Sequence, residues 1–318
     1  MRALLIVNPH ATSTTRPRRD VIARALASAV ELEIVETRYR GHGTSLAADA
    51  AAAGYGLIIT LGGDGTVTEA VNGLMRAPRL ARPALAALPG GSANVFARAL
   101  GLPADPVQAT GQVLAALAGD RFRRIGVGLA DDRYFTFNSG MGFDAEVVRA
   151  VEGRRAHGRS VSPALYMRMA GRQFWRLTDR RDAALHLASL GPDGPGPASP
   201  GPGAGGPLFW CTVSNTAPWT YVGRRPVQTS PAASFDTGLD VFGLRSLSTL
   251  RTLSTLRQML SPRRPGPPRG REIFSRHDLT ALTVTADRPV AFQIDGEYVG
   301  EREQVRFRSV PDALRVAM

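Results

Sequence analysis

The sequence predicts an α/β amino-terminal domain, a parallel sheet flanked by helices, followed by a mainly antiparallel β domain. Three observations lead there. Residues 1–120 alternate short β-branched apolar runs with alanine-rich stretches of helical spacing, the pattern of a parallel sheet wrapped by helices. Beyond about residue 121 the texture changes to short strands separated by turns. Between them, the apolar run Leu57-Ile58-Ile59-Thr60-Leu61 enters Gly62-Gly63-Asp64-Gly65-Thr66 and then a helical stretch. A strand thus delivers a tight glycine turn to the positive end of a helix, where free N–H groups suit phosphate oxygens.

In chain order, strands are expected at residues 3–8, 32–37, 57–61 and 84–88. Helices are expected at 18–30, 42–53 (closed by Gly54), 66–75, 95–100 and 106–118. Thr66 with Glu69 three residues on has capping-box spacing. Ligands of parallel sheets sit beyond the carboxyl ends of the strands, where the turns after residues 8, 61 and 88 would lie. The second domain should hold strands at 123–129, 134–138, 183–190, 208–214, 239–244, 279–286 and 290–294, with helices near 163–177 and 247–260. Residues 191–207, almost all Gly, Pro, Ala and Ser, read as a flexible surface loop, and the Pro- and Arg-rich 261–270 as a second mobile loop.

The chain's 318 residues suffice for two domains with real cores, and 43% hydrophobic with 21% charged residues fits a soluble globular protein. One cysteine, Cys211, excludes an internal disulfide and fits a reducing compartment. The first residues are too short for a signal peptide, and no apolar run approaches the roughly 20 residues of a membrane span. The net charge is +12, and every basic residue is arginine. Without lysine, a Walker A loop and Schiff-base chemistry are both excluded. The positive balance favours anionic partners. The arginines are scattered with few interleaved aromatics, which argues against nucleic acid. The histidines show no zinc-ligand spacing.

Several short motifs need weighing. Asn8-Pro9 and Thr37 end strands; alone, each reads as well as a turn or strand residue. Pro89-Gly90-Gly91-Ser92-Ala93-Asn94 is a second glycine turn. Gly140-Met141-Gly142-Phe143-Asp144-Ala145 has dinucleotide-fingerprint spacing, but no acidic residue occurs between Gly153 and Thr178, so that reading is rejected. Asp144 reads as a helix-capping or cleft residue. Asp295-Gly296-Glu297 puts a carboxylate at a strand end, open towards a cleft; Asp-Gly is equally a common hairpin turn. Leu247, Leu250, Leu253 and Leu256 recur every three residues with Arg245, Arg251 and Arg257 nearby. Such a helix suits an anionic membrane surface, though more often it packs on its own domain.

Taken together, these strings resemble the diacylglycerol kinase catalytic family, which includes sphingosine kinases and bacterial lipid kinases. The Gly-Gly-Asp-Gly-Thr core is shared with NAD kinases and phosphofructokinases; the extension through Glu69, Asn72 and Gly73 is similar to the lipid kinases in particular. The resemblance implies an NAD kinase/diacylglycerol kinase-like nucleotide domain over 1–120, with a return of residues 304–318, and a lipid-substrate domain over 121–303. It implies ATP with Mg2+ bound by Asn8, Pro9, Thr37, Gly62, Gly63, Asp64, Gly65, Thr66, Glu69, Ser92 and Asn94, Asp64 reaching the nucleotide's magnesium. Asp295 would be the general base that activates a lipid hydroxyl, and Glu297 a supporting or metal residue. The partners implied are ATP and a lipid substrate at a membrane surface, with a homodimer open, in a cytoplasmic enzyme that can lie at the inner face of the membrane. Val95 stands where the family often has aspartate. Thr237 stands where some bacterial relatives hold a structural magnesium with an aspartate, leaving Asp236 as a substitute. Two alternatives remain: an NAD kinase-like enzyme, disfavoured because no Asn-Glu dipeptide occurs, and a non-catalytic lipid- or nucleotide-binding protein of the same fold.

Overall fold

The computed structural model describes residues 1–11, 15–156, 163–176, 183–189, 206–261 and 266–318. The loop expected at 191–207 lies outside them but for its last two residues, as do residues 262–265 of the second loop. The chain divides into two compact units, Met1–Val127 with Asp312–Met318, and Gly128–Pro311.

In unit 1, β1 (Arg2–Val7), α1 (Arg16–Ala27), β2 (Glu31–Glu36), α2 (His42–Ala52), β3 (Leu57–Gly62), α3 (Asp64–Leu74), β4 (Ala84–Pro89), α4 (Val95–Ala99) and α5 (Pro106–Ala118) follow in strict alternation until the last two helices. The strands pair in parallel in the order β4-β3-β1-β2, with Ile59 opposite both Leu5 and Ala86. Every residue of β3 and β4 is buried, as parallel strands covered on both faces require. Pro106 begins α5, and the Asp105 carboxylate accepts from the Val107 and Gln108 N–H groups, occupying two donors that helix geometry leaves over.

The expected capping box is corrected. α3 starts at Asp64, with Gly63 as its N-cap, so Thr66 already lies inside the helix. Glu69 instead turns to α2, where its two carboxylate oxygens accept from Gly41 N (2.7 Å) and Gly43 N (2.9 Å). A Cβ on Gly73 would lie 2.3 Å from the Thr44 carbonyl oxygen and 2.8 Å from the Ala47 Cβ, so glycine lets α3 approach α2 closely. The Glu69–Gly73 string therefore fastens two helices.

In unit 2, β5 (Phe122–Ala130), which begins in unit 1, pairs with β6 (Arg133–Phe135); β7 (Asn138–Gly142) leads into α6 (Phe143–Ala156) and α7 (Pro163–Arg176). Then come β8 (Leu185–Ser189), β9 (Trp210–Ser214), the small hairpin β10 (Thr220–Val222) and β11 (Arg225–Val227), β12 (Leu239–Leu244), α8 (Thr249–Met259), β13 (Ile273–Leu279), β14 (Ala281–Ile294) and β15 (Glu297–Ala317). The order β13-β12-β9-β7-β14-β15 is antiparallel throughout, over a core that includes Phe135, Val241, Val284, Phe292 and Phe307.

The structure joins segments that the sequence reading separated. Strands expected at 279–286 and 290–294 are one strand whose register shifts between Thr285 and Val290, a bulge around exposed Asp287, Arg288 and Pro289. The last strand and tail are one strand, β15, whose residues 312–317 belong to unit 1, where Val316 faces Leu85 in parallel. Conversely, the strand expected at 134–138 is split, ending at Phe135 and resuming at Asn138.

Replacing Glu69 by alanine should strip two N–H partners from the start of α2. A loss of about 2 kcal/mol in urea unfolding is expected, with faster amide exchange at Gly41 and Gly43; unchanged exchange there would refute the capping role.

Candidate functional site

In unit 1 the predicted nucleotide residues gather at the carboxyl ends of β1, β3 and β4. Asn8 N donates to the Leu61 carbonyl (3.0 Å), and its side-chain Nδ2 donates to Thr66 Oγ1 (3.4 Å). Gly90 N donates to the Gly62 carbonyl (2.7 Å), joining the turn after β3 to the turn after β4. These turns touch through glycine alone: a Cβ on Gly91 would lie 2.7 Å from Gly63 Cα, and one on Gly62 would lie 2.4 Å from Thr66 Oγ1. Asn94, at a φ of 48°, clasps its own turn, its Oδ1 accepting from Gly91 N and its Nδ2 donating to Gly91 O, both at 2.8 Å. Ser92 is exposed at the tip of that turn and Pro9 is exposed after β1. The result is bare backbone at the N-termini of α3 and α4, chemically suited to an oligophosphate.

Asp64 is the only carboxylate in the turns 8–11, 62–66 and 89–95. Its Oδ1 accepts from Phe96 N at 3.0 Å, so the carboxylate also fastens α4 to the first turn. Thr37 lies past the end of β2, its N–H on the Val7 carbonyl (2.8 Å). Glu69 does not join this group, because its oxygens are on α2.

In unit 2 the expected exposure of Asp295 is corrected: it is 4% exposed. Asp295 and Gly296, at φ of 47° and 76°, form the two-residue turn between β14 and β15, with Ile294 opposite Glu297. The side chain turns inward. Oδ2 accepts from Thr136 N (2.7 Å) and Thr136 Oγ1 (2.9 Å); Oδ1 accepts from Phe137 N (3.0 Å) and Asn138 N (3.1 Å). Four donors match the roughly four lone-pair sites of a carboxylate.

The turn is held from behind by Gln293. Its Oε1 accepts from Gly296 N (2.9 Å), and its Nε2 donates to Asn138 Oδ1 (2.9 Å) and Asp144 Oδ2 (2.8 Å). Asp144 is therefore a partner of Gln293 rather than a helix cap. Burial pushes its carboxyl up to about 6, and the Gln293 bond offsets part of that rise. Gln293 opens the motif Gln293-Ile294-Asp295-Gly296-Glu297, in which the sequence alone assigns it no role of its own, whereas nothing in the sequence singles out Thr136.

Glu297 is ion-paired with Arg133 (2.7 Å). At the place expected to hold a structural magnesium, Asp236 N donates to Ser234 Oγ (3.3 Å). The Thr237 hydroxyl donates to the Ser234 carbonyl (3.1 Å), and Asp240 faces His277 Nδ1 (2.7 Å) and Asp278 N (3.1 Å). Among the described residues no group of three or more His, Cys, Asp or Glu side chains could hold a metal ion.

Residues 2–128 match the family model described as the diacylglycerol kinase catalytic domain. A probable lipid kinase YegS-like protein of Chromohalobacter salexigens is 39% identical over 132 residues, covering 42% of this chain and 41% of that one. A diacylglycerol kinase of Bacillus subtilis is 37% identical over 146 residues, covering 44% of this chain and 46% of its own. The matched stretch thus spans less than half the length of these curated relatives. The fold is similar over nearly the whole chain to the crystal structure of a putative diacylglycerol kinase from Bacillus anthracis, with a TM-score of 0.73 at 21% identity, covering 99% of this chain and 96% of that one.

Gly91→Ala should push the two turns apart. A loss of nucleotide affinity of tenfold or more is expected by calorimetry; wild-type affinity would refute the contact as a binding constraint. Asp144 has a different signature. Its carboxyl stays protonated up to about 6 when folded, against an ordinary 3.8, so the folded state binds the extra proton between these values. Stability from this group falls as pH rises through that window and is level above it. Relative to Asp144→Asn, the wild type should lose about 2 kcal/mol of unfolding free energy between pH 4 and pH 7; parallel pH profiles would contradict this.

Proposed function

We infer that this chain belongs to the diacylglycerol kinase catalytic family and is an ATP-dependent kinase that phosphorylates a lipid hydroxyl, that of diacylglycerol or a related lipid alcohol. The observation that carries the reading is the glycine-only contact between the turns after β3 and β4, inside the stretch that matches the family model. The backbone at Gly62, Gly63 and Gly65, with the Thr66 and Ser92 hydroxyls, would hold the nucleotide phosphates; Asn8 and Asn94 hold these turns in shape. Magnesium, when bound with the nucleotide, supplies charge neutralisation at the phosphates, with Asp64 as the carboxylate at hand.

On the acceptor side, Asp295 is our proposed proton acceptor. Three of its four donors are backbone N–H groups of residues 136–138, at and just before the start of β7; only the Thr136 hydroxyl can rotate away. Accepting a proton from a substrate hydroxyl would then require Thr136 Oγ1 to release Oδ2. The same four donors favour a second reading, in which Asp295 only braces residues 136–138 and the proton leaves by another route.

Transfer of labelled γ-phosphate from ATP and Mg2+ to a panel of lipid alcohols in mixed micelles tests the activity, with NAD as a competing acceptor. Labelled lipid is expected; labelled NADP, or no product despite ATP binding, would overturn the reading. Asp295→Asn separates the two roles. As a base, its loss lowers kcat by about 10²–10⁴-fold in protein that is still folded. As a brace alone, activity falls only with the folded fraction.

A further inference from the structure

We propose that the outward face of α8 is a docking surface for an anionic lipid bilayer. The leucines spaced by three divide between two sides of this helix. Leu247 is buried just before it, and Leu256 and Met259 pack on a cluster with Trp210, Phe242 and Leu244. Leu250 and Leu253 face solvent, 81% and 59% exposed, and they are the only exposed large hydrophobic residues of unit 2 among the described residues. They lie three residues apart, and Arg257 continues the same face a further turn on.

The charge around them selects the occupant. From Val241 to Arg271 the sequence has seven arginines and no acidic residue. Arg251 is ion-paired with Glu272, while Arg257, exposed, stands in the last turn of α8. Two exposed leucines flanked by cations match an interfacial surface, where apolar side chains enter the acyl boundary and guanidinium groups meet phosphate headgroups. A second copy is the poorer occupant: a two-fold contact would set the arginines against one another, and two leucines cover far less than the roughly 800 Å² per partner of a stable interface. The inference rests on the lipid-kinase reading for its purpose, since a lipid acceptor resides in a membrane, but its physics is independent of turnover.

The experiment is sedimentation of the full chain with vesicles, without ATP or acceptor lipid. Equimolar phosphatidylglycerol and phosphatidylcholine is compared with phosphatidylcholine alone. At least tenfold stronger binding to the anionic vesicles is expected, weakened by 0.5 M salt (the Debye length falls to a few ångströms near ~1 M). Leu250→Ser with Leu253→Ser should lower that binding tenfold or more while thermal unfolding is unchanged, because both side chains are exposed. Leu253→Trp should show a blue-shifted emission only with anionic vesicles. Wild-type binding by the double serine variant, equal binding to both vesicle types, or no blue shift would overturn the proposal, as would concentration-dependent dimerisation abolished by the same variant. Failure of phosphate transfer in micelles with vesicle binding intact would sink the kinase reading and leave this one standing.

Discussion

Two backbone turns must touch with no side chain between them, and much of unit 1 follows from that requirement. Gly63 and Gly91 approach so closely that a single methyl would lie 2.7 Å from the opposite Cα. The contact sets the separation of α3 and α4 at their amino ends. Around it, each polar side chain does double duty. Asp64 ties α4 to the first turn, Asn94 closes the second, and Asn8 reaches across to Thr66. Two turns of bare backbone need this bracing, because glycine resists distortion poorly on its own.

Unit 2 solves a related problem with charge. Asp295 lies at the tip of a hairpin, where an aspartate followed by glycine ordinarily faces water. Here it is drawn inward by four donors, and Gln293 locks the turn from the other side. Asp144, at the end of that chain of bonds, has no cation among the causes of its raised carboxyl, only burial opposed by one amide. The hairpin is thus supported by a fully bonded carboxylate and by one that burial discourages from ionising.

The parallel half was legible because buried strands and glycine turns write themselves into sequence as apolar runs with abrupt stops. The expected bounds of α5 and β12 agree with the structure to the residue. The antiparallel half was less so. β13 reads Ile-Phe-Ser-Arg-His-Asp-Leu, and as an edge strand it carries exposed polar residues that mask its alternation. α6 was overlooked although Phe143, Val147 and Val151 have helical spacing. The expectation for Glu69 failed for a physical reason: a carboxylate three residues from a threonine can satisfy the donors of a different helix as well as its own. The inward turn of Asp295 was beyond reach, since its partners lie about 160 residues earlier in the chain.

One strand ties the order of synthesis to the order of folding. β15 supplies Asp312–Ala317 to unit 1, where Val316 pairs with Leu85 on β4. Until those residues leave the ribosome, β4 is an open, fully apolar edge beside a completed set of parallel strands. Unit 1, although most of it is translated before unit 2, is therefore completed only after it, and its nascent edge needs shielding from neighbouring chains in the interval.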